Sequence, residues 1–116
     1  MEEKTNEAFT RQFRLAATDL ERIKLAIRKN RYTIWVRQDK PNFPEEYLFP
    51  ILSLPDRHPV RRHSRKSGGE GTEYVIELKY DYKGMGLKVP IYLKGYFCKD
   101  GHLVIGLEVQ SLRQDE

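Results

Sequence analysis

The amino-acid sequence predicts an α+β fold, with N-terminal helices packed on one face of a small antiparallel sheet. Three observations lead there. Apolar residues recur at helical spacing from Ala8 to Ile27, and β-branched and aromatic runs dominate after residue 71. The turns between those later runs are short, which suits antiparallel neighbours. Helices first and then a meander is an α+β order. At 116 residues the chain, 1–116, has room for a single domain with one core.

Residues 1–7 are polar and are expected to fray. Phe9, Phe13, Ala16 and Ala17 share helical spacing and predict a short helix from Ala8. Thr18 and Glu21 form a Thr-x-x-Glu capping box at the start of a second helix. There Leu20, Ile23 and Ile27 share a face, Glu21, Arg22, Lys24 and Arg28 are expected to face water, and Asn30 is a stop. Tyr32 to Val36 has strand composition, although a continuing helix would also fit it. Asp39 to Pro44 is a loop, and Glu45 to Leu54 a short helix opened or kinked by Pro50. Residues 56–71 are expected to be an irregular basic loop ending in Gly68, Gly69 and Gly71. Thr72 to Tyr82, Leu87 to Cys98 and His102 to Leu112 complete the sheet. Asp100-Gly101 marks a hairpin turn, and Pro90 a strand start, bulge or edge.

The composition narrows the class. Apolar residues make up 39% and charged residues 33%, and the formal charge is +4. Cys98, the single cysteine, excludes an internal disulfide and a cysteine-based zinc cage. Its place beside Tyr96 and Phe97 suggests a small buried hydrophobe. No apolar run approaches the roughly 20 residues that span a bilayer. The acidic, polar start is unlike a secretory signal, and a reduced cytoplasmic setting without membrane contact is expected.

Charge is concentrated. Arg57, Arg61, Arg62, Arg65 and Lys66, with His58 and His63, lie within ten residues that contain no Asp or Glu. Like charges at that density repel, and a polyphosphate backbone is the commonest anion to complete such a set. The plainer alternative is a solvated loop paired with glutamates elsewhere. His58 and His63 titrate near neutrality and could exchange protons with a ribose 2′-hydroxyl or a leaving 5′-oxygen. Tyr92 and Lys94 alternate along a strand and point to one side. Lys79, Tyr80, Tyr82 and Lys83 form a second aromatic and basic group. Rings that stack on unpaired bases, with lysines that hold phosphate, suit RNA; a solvent-facing half of a sheet is the alternative. Gly84-Met85-Gly86 lacks the Lys-Ser/Thr of nucleotide-hydrolase loops, and no histidine has a close metal-binding companion.

Asp19-Leu20-Glu21-Arg22-Ile23-Lys24, leading to Arg31-Tyr32-Thr33-Ile34, resembles the opening helix of the MqsR family of mRNA interferase toxins. Ile51-Leu52-Ser53-Leu54 resembles the end of that family's second helix. Ile91-Tyr92-Leu93-Lys94, the Lys-Asp-Gly turn and Leu103-Val104-Ile105 resemble its last two strands. The resemblance runs over residues 18–112. It implies a RelE-like fold, shared with barnase and colicin-type nucleases, and metal-independent RNA cleavage by 2′-hydroxyl attack. Tyr92 matches the family's strand tyrosine near the scissile phosphate. The lysine expected after the second helix has no match, and Arg61 or Arg62 would supply its charge. The family's glutamine before the long hairpin is not identifiable, and its terminal Ser-Phe-Lys is echoed by Ser111-Leu112-Arg113.

Together these features lead to the expectation of a toxin-type endoribonuclease that acts on mRNA or tRNA without a cofactor. An acidic antitoxin or immunity protein would be its partner. His58, Arg61, Arg62, His63, Tyr92 and Lys94 are the candidate catalytic residues. Arg57, Arg65, Lys66, Lys79, Tyr80 and Lys83 are the candidate RNA-binding residues. A non-enzymatic nucleic-acid-binding protein using the same basic loop is the alternative, and a patch for an acidic protein a third reading.

Overall fold

A computed structural model of the chain describes residues 2–35, 45–64, 74–82 and 89–107. Helices α1 (Glu2–Leu15) and α2 (Asp19–Arg28) come first. Five strands follow: β1 (Tyr32–Trp35), β2 (Val60–Ser64), β3 (Tyr74–Tyr82), β4 (Val89–Phe97) and β5 (Leu103–Leu107). They form one sheet in the order β1-β5-β4-β3-β2. The α+β expectation therefore holds, with one correction. β2 to β5 are an antiparallel meander, but β1 runs parallel to β5, so the sheet is mixed. Short-turn reasoning finds only the strands that turns connect. β1 instead leaves α2 and joins the open edge of β5, where the Leu103 N–H donates to the Arg31 carbonyl at 3.0 Å.

Local chemistry accounts for the helix ends. The Glu21 N–H donates to the Thr18 hydroxyl at 3.1 Å, and the Glu21 carboxylate accepts from the Ala17 N–H at 3.0 Å. At the other end Asn30 takes φ 57°. The Arg31 N–H then reaches the Ala26 carbonyl at 2.8 Å and the Asn30 N–H the Ile27 carbonyl at 3.2 Å, which closes the helix. α1 begins at Glu2, ahead of the expected start at Ala8. With no Gly or Pro in residues 2–7, a helix anchored by Phe9 and Phe13 propagates through them. The expected helix at Glu45 to Leu54 is two 3₁₀ turns, Glu45–Tyr47 and Phe49–Ser53. Pro50 has no N–H to offer an α-helical ladder. Lys24, expected in water, is buried and donates to the Leu54 carbonyl at 2.5 Å, its stem running under that segment.

Strand alternation sorts the sheet into two faces. Ile76, Leu78 and Tyr80 of β3, Ile91, Leu93 and Phe97 of β4, and Leu103 and Ile105 of β5 point to one side. There they meet Phe9 and Phe13 of α1, Leu20, Ile23, Ala26 and Ile27 of α2, and Leu48 and Ile51. This is the core, and the helices cover that one face. The β4–β5 turn is tight, with the Gly101 N–H on the Cys98 carbonyl at 2.9 Å and Gly101 at φ 100°. A Cβ on Gly101 would lie 2.7 Å from the Phe13 ring, so glycine also lets α1 close over the turn. Cys98 is only half-buried.

Residues 56–71 are not wholly irregular. Residues 60–64 form β2, the edge strand, and 65–71 lie outside the described residues. Only Val60 of β2 is partly buried, so apolar burial does little to hold it. A polar cluster does. The Asp19 carboxylate, with its side chain 6% exposed, accepts from Arg62 Nε at 2.6 Å and Arg62 Nη2 at 3.1 Å. It also accepts from Arg22 at 2.8 Å and from the Tyr74 hydroxyl at 3.0 Å. The Arg62 guanidinium lies over the Tyr74 ring, 4.2 Å from its centroid. Burial alone would raise the Asp19 carboxyl. The bonds from Arg62, Arg22 and Tyr74 outweigh it and hold the group below its ordinary 3.8.

Asp19→Ala leaves two guanidiniums and a phenol without their shared acceptor, and should cost about 3 kcal/mol in urea unfolding at neutral pH. Because the folded-state pKa is depressed, this stabilisation is complete above about pH 5 and is lost as the pH falls through 3.8 and then through the folded value. The gap in unfolding midpoint between wild type and Asp19→Ala should therefore narrow in acid.

Candidate nucleic-acid interface

Among the described residues no helix covers the second face of the sheet. Alternation places Arg61 and His63 of β2, Glu77, Lys79 and Asp81 of β3, Tyr92, Lys94 and Tyr96 of β4, Val104 and Gly106 of β5, and Thr33 and Trp35 of β1 on it. Register then decides which of these meet. Glu77 stands opposite Arg61 on one side and opposite Lys94 on the other. His63 and Tyr92 are its diagonal neighbours on the same two strands, within reach of long side chains.

Glu77 is the centre of the group. His63 Nε2 lies 2.9 Å from Glu77 Oε1, the Tyr92 hydroxyl donates to Oε2, and Lys94 Nζ lies 3.9 Å from Oε1. Lys79 Nζ sits over the Tyr92 ring, 5.5 Å from its centroid. The Glu77 side chain is 10% exposed, whereas that of His63 is 44% exposed, so the imidazole forms the outer layer. Burial alone would raise the Glu77 carboxyl. The Tyr92 hydrogen bond and the nearby His63 and Lys94 charges more than offset this and hold it below its ordinary value. Glu77 is thus ionised at neutral pH. A bond from His63 Nε2–H to that carboxylate leaves Nδ1 as the ring's proton acceptor.

Of the twelve candidate residues, the structure brings five together: Arg61, His63, Lys79, Tyr92 and Lys94. Arg62 is not with them. Neighbouring strand residues point to opposite faces, so Arg62 lies on the helix side, bound to Asp19. Tyr80 is no stacking platform, because it is in the core and its hydroxyl donates to the Tyr47 carbonyl. His58 precedes β2, and its Nε2 donates to the Lys79 carbonyl at 2.6 Å. A carbonyl only accepts, so that nitrogen carries the proton and ties the entry of β2 to β3. Arg57 is exposed in the same turn. Arg65, Lys66 and Lys83 lie outside the described residues, as do Ser111, Leu112 and Arg113. The expectation that the basic segment lacks internal counter-ions fails at two positions, where Asp19 and Glu77 supply them. Arg61 is exposed and has no carboxylate partner among the described residues.

Glu77 itself escaped sequence reasoning. A charged residue inside the apolar run Val75-Ile76-Glu77-Leu78, one alternation from Lys79, was the available signal. His102 bonds Thr33 at 2.7 Å, apart from the Glu77 group. No group of three His, Cys, Asp or Glu side chains suited to a metal occurs among the described residues. No described helix is long and apolar enough to cross a membrane. Comparison with protein-family models, curated proteins and solved structures gives no match.

Tyr92→Phe removes a donor to the Glu77 carboxylate. The Glu77 pKa, followed by carboxyl-carbon NMR, should rise toward the ordinary 4.5. An unchanged pKa would mean that the bond contributes nothing in solution.

Proposed function

We propose that the chain is a metal-independent endoribonuclease of the RelE-like, MqsR-related type, and that the open face of the sheet is its active surface. The carrying observation is the His63–Glu77 pair, set among Arg61, Lys79, Tyr92 and Lys94 on one uncovered face. An imidazole backed by an ionised carboxylate is a general base whose tautomer and orientation are already set. His63 Nδ1 would take the proton of a ribose 2′-hydroxyl as that oxygen attacks the adjacent phosphorus. Arg61, Lys79 and Lys94 would stabilise the charge that builds on the phosphorane oxygens, where fixed cations contribute most. The 5′-oxygen would leave, protonated by solvent or by the Lys94 ammonium, and a 2′,3′-cyclic phosphate would remain. No step requires a metal. In this reading Arg62 is structural, and His58 holds β2 in place. An mRNA or tRNA strand is the substrate, and an acidic antitoxin or immunity protein is the natural inhibitor of such a surface.

A non-enzymatic RNA-binding role is favoured by one observation, the saturation of Glu77 by Tyr92, His63 and Lys94. A carboxylate so engaged also serves merely to hold cations in position.

Incubation of the purified chain with RNA in EDTA separates the two. Cleavage with 2′,3′-cyclic phosphate ends is expected, with a loss of ~10²–10³ in rate for His63→Ala or Glu77→Gln. Arg61→Ala should reduce the rate and also lower the salt slope of binding by about one unit. Salt-sensitive binding without any cleavage would replace the nuclease with the binding module.

A further inference from the structure

Beside the Glu77 group the open face changes character. A groove of about 340 Å³ crosses β4, β5 and β1, within the roughly 300–1,000 Å³ of small-ligand sites. Trp35 and Tyr96 flank it with Val75 and Val104, Gly106 lies in its floor, and Lys94 forms its end toward Glu77. Trp35 is 57% exposed, a large apolar surface to leave in water at the edge of a sheet. The floor is flat for a definite reason. A Cβ on Gly106 would lie 2.7 Å from the Trp35 carbonyl and 3.2 Å from indole Cε3, so glycine lets the indole lie against the strand.

We propose that this groove is a nucleobase-stacking subsite. It would hold the base next to the phosphate bound at Lys94, and so select single-stranded over duplex RNA. The inference rests on the nucleic-acid reading above and adds the substrate class. Lys94 belongs both to the groove and to the cationic group, so a ligand entering the groove must meet positive charge at one end. An apolar slot walled by aromatic rings and closed by an ammonium complements a base with its own phosphate. A purely apolar peptide side chain would leave that end unmatched. Bases paired within a duplex offer no free face to such a slot.

Trp35 is the chain's single tryptophan, so its emission reports on the groove alone. The intact chain would be titrated with a short single-stranded RNA carrying 2′-methoxy groups, which cannot be cleaved by 2′-oxygen attack. An abasic strand of equal charge, the corresponding duplex and an acidic peptide would be run beside it. Quenching by the base-bearing single strand alone is expected. Trp35→Ala should bind that strand about 10-fold or more weakly, with unchanged affinity for the abasic strand. Trp35→Phe should recover much of the loss, and unfolding midpoints would verify that both variants are folded. Equal quenching by the abasic strand, quenching by the acidic peptide alone, no binding, or unchanged affinity in Trp35→Ala would each overturn the subsite. Base-dependent binding with no cleavage of unmodified RNA would sink the nuclease reading and keep the subsite. Cleavage indifferent to Trp35→Ala would do the reverse.

Discussion

The Asp19 carboxylate decides where the candidate site is built. Edge strand β2 has one partly buried apolar residue, and its other side chains are exposed. Hydrophobic burial therefore says little about its register, and a slip of one residue would exchange its two faces. The bond from Arg62 to Asp19 says a great deal. With Arg62 fixed on the helix side, Arg61 and His63 must lie on the other, opposite and diagonal to Glu77. A salt bridge is a weak general source of stability, and here its greater use is to choose one arrangement among near-equals.

Glu77 does on the open face what Asp19 does on the covered one, with a different outcome. Asp19 is matched by two guanidiniums, and the phenol of Tyr74 fills much of what remains. The open face sets two carboxylates, Glu77 and Asp81, against Arg61, Lys79 and Lys94, so its described side chains keep a small positive excess even with His63 neutral. Two neighbours of Glu77 are also largely solvated, with His63 and Lys94 each nearly half exposed. Such a group orders the cations and the imidazole at small cost and still presents them to an anion. This is the sense in which the surface is organised in advance rather than merely charged.

How far the sequence foretold this depends on the range of each interaction. The α2 cap at Thr18, the stop at Asn30 and the Asp100-Gly101 turn involve neighbours in the chain, and residue types alone identify them. Alternation likewise puts Tyr92 and Lys94 on one face. The same rule, applied to residues 60–64 as a strand, separates Arg61 from Arg62. Read as a loop, that segment hides the distinction, and both arginines are given one role. Tyr80 shows the matching limit. It alternates with Leu78 and Ile76 rather than with Lys79, but only the pairing with Ile91 of β4 shows that its side is the buried one. Asp19 could be paired from sequence only with Arg22, three residues on along α2. Its contacts with Arg62 and Tyr74, and those of Glu77 with His63, Tyr92 and Lys94, join residues far apart in the chain.

The exposed polar residues of β2 also serve the fold. An edge strand offers unpaired N–H and C=O groups to any passing strand, and charge on such a strand is a common defence against that pairing. Arg61 and Arg62 put a guanidinium on each face of β2, so a second copy of the strand would be repelled. A polyanion would not be. The features that discourage this edge from pairing with its own kind are therefore the same ones that the proposed function would use to admit a phosphate backbone.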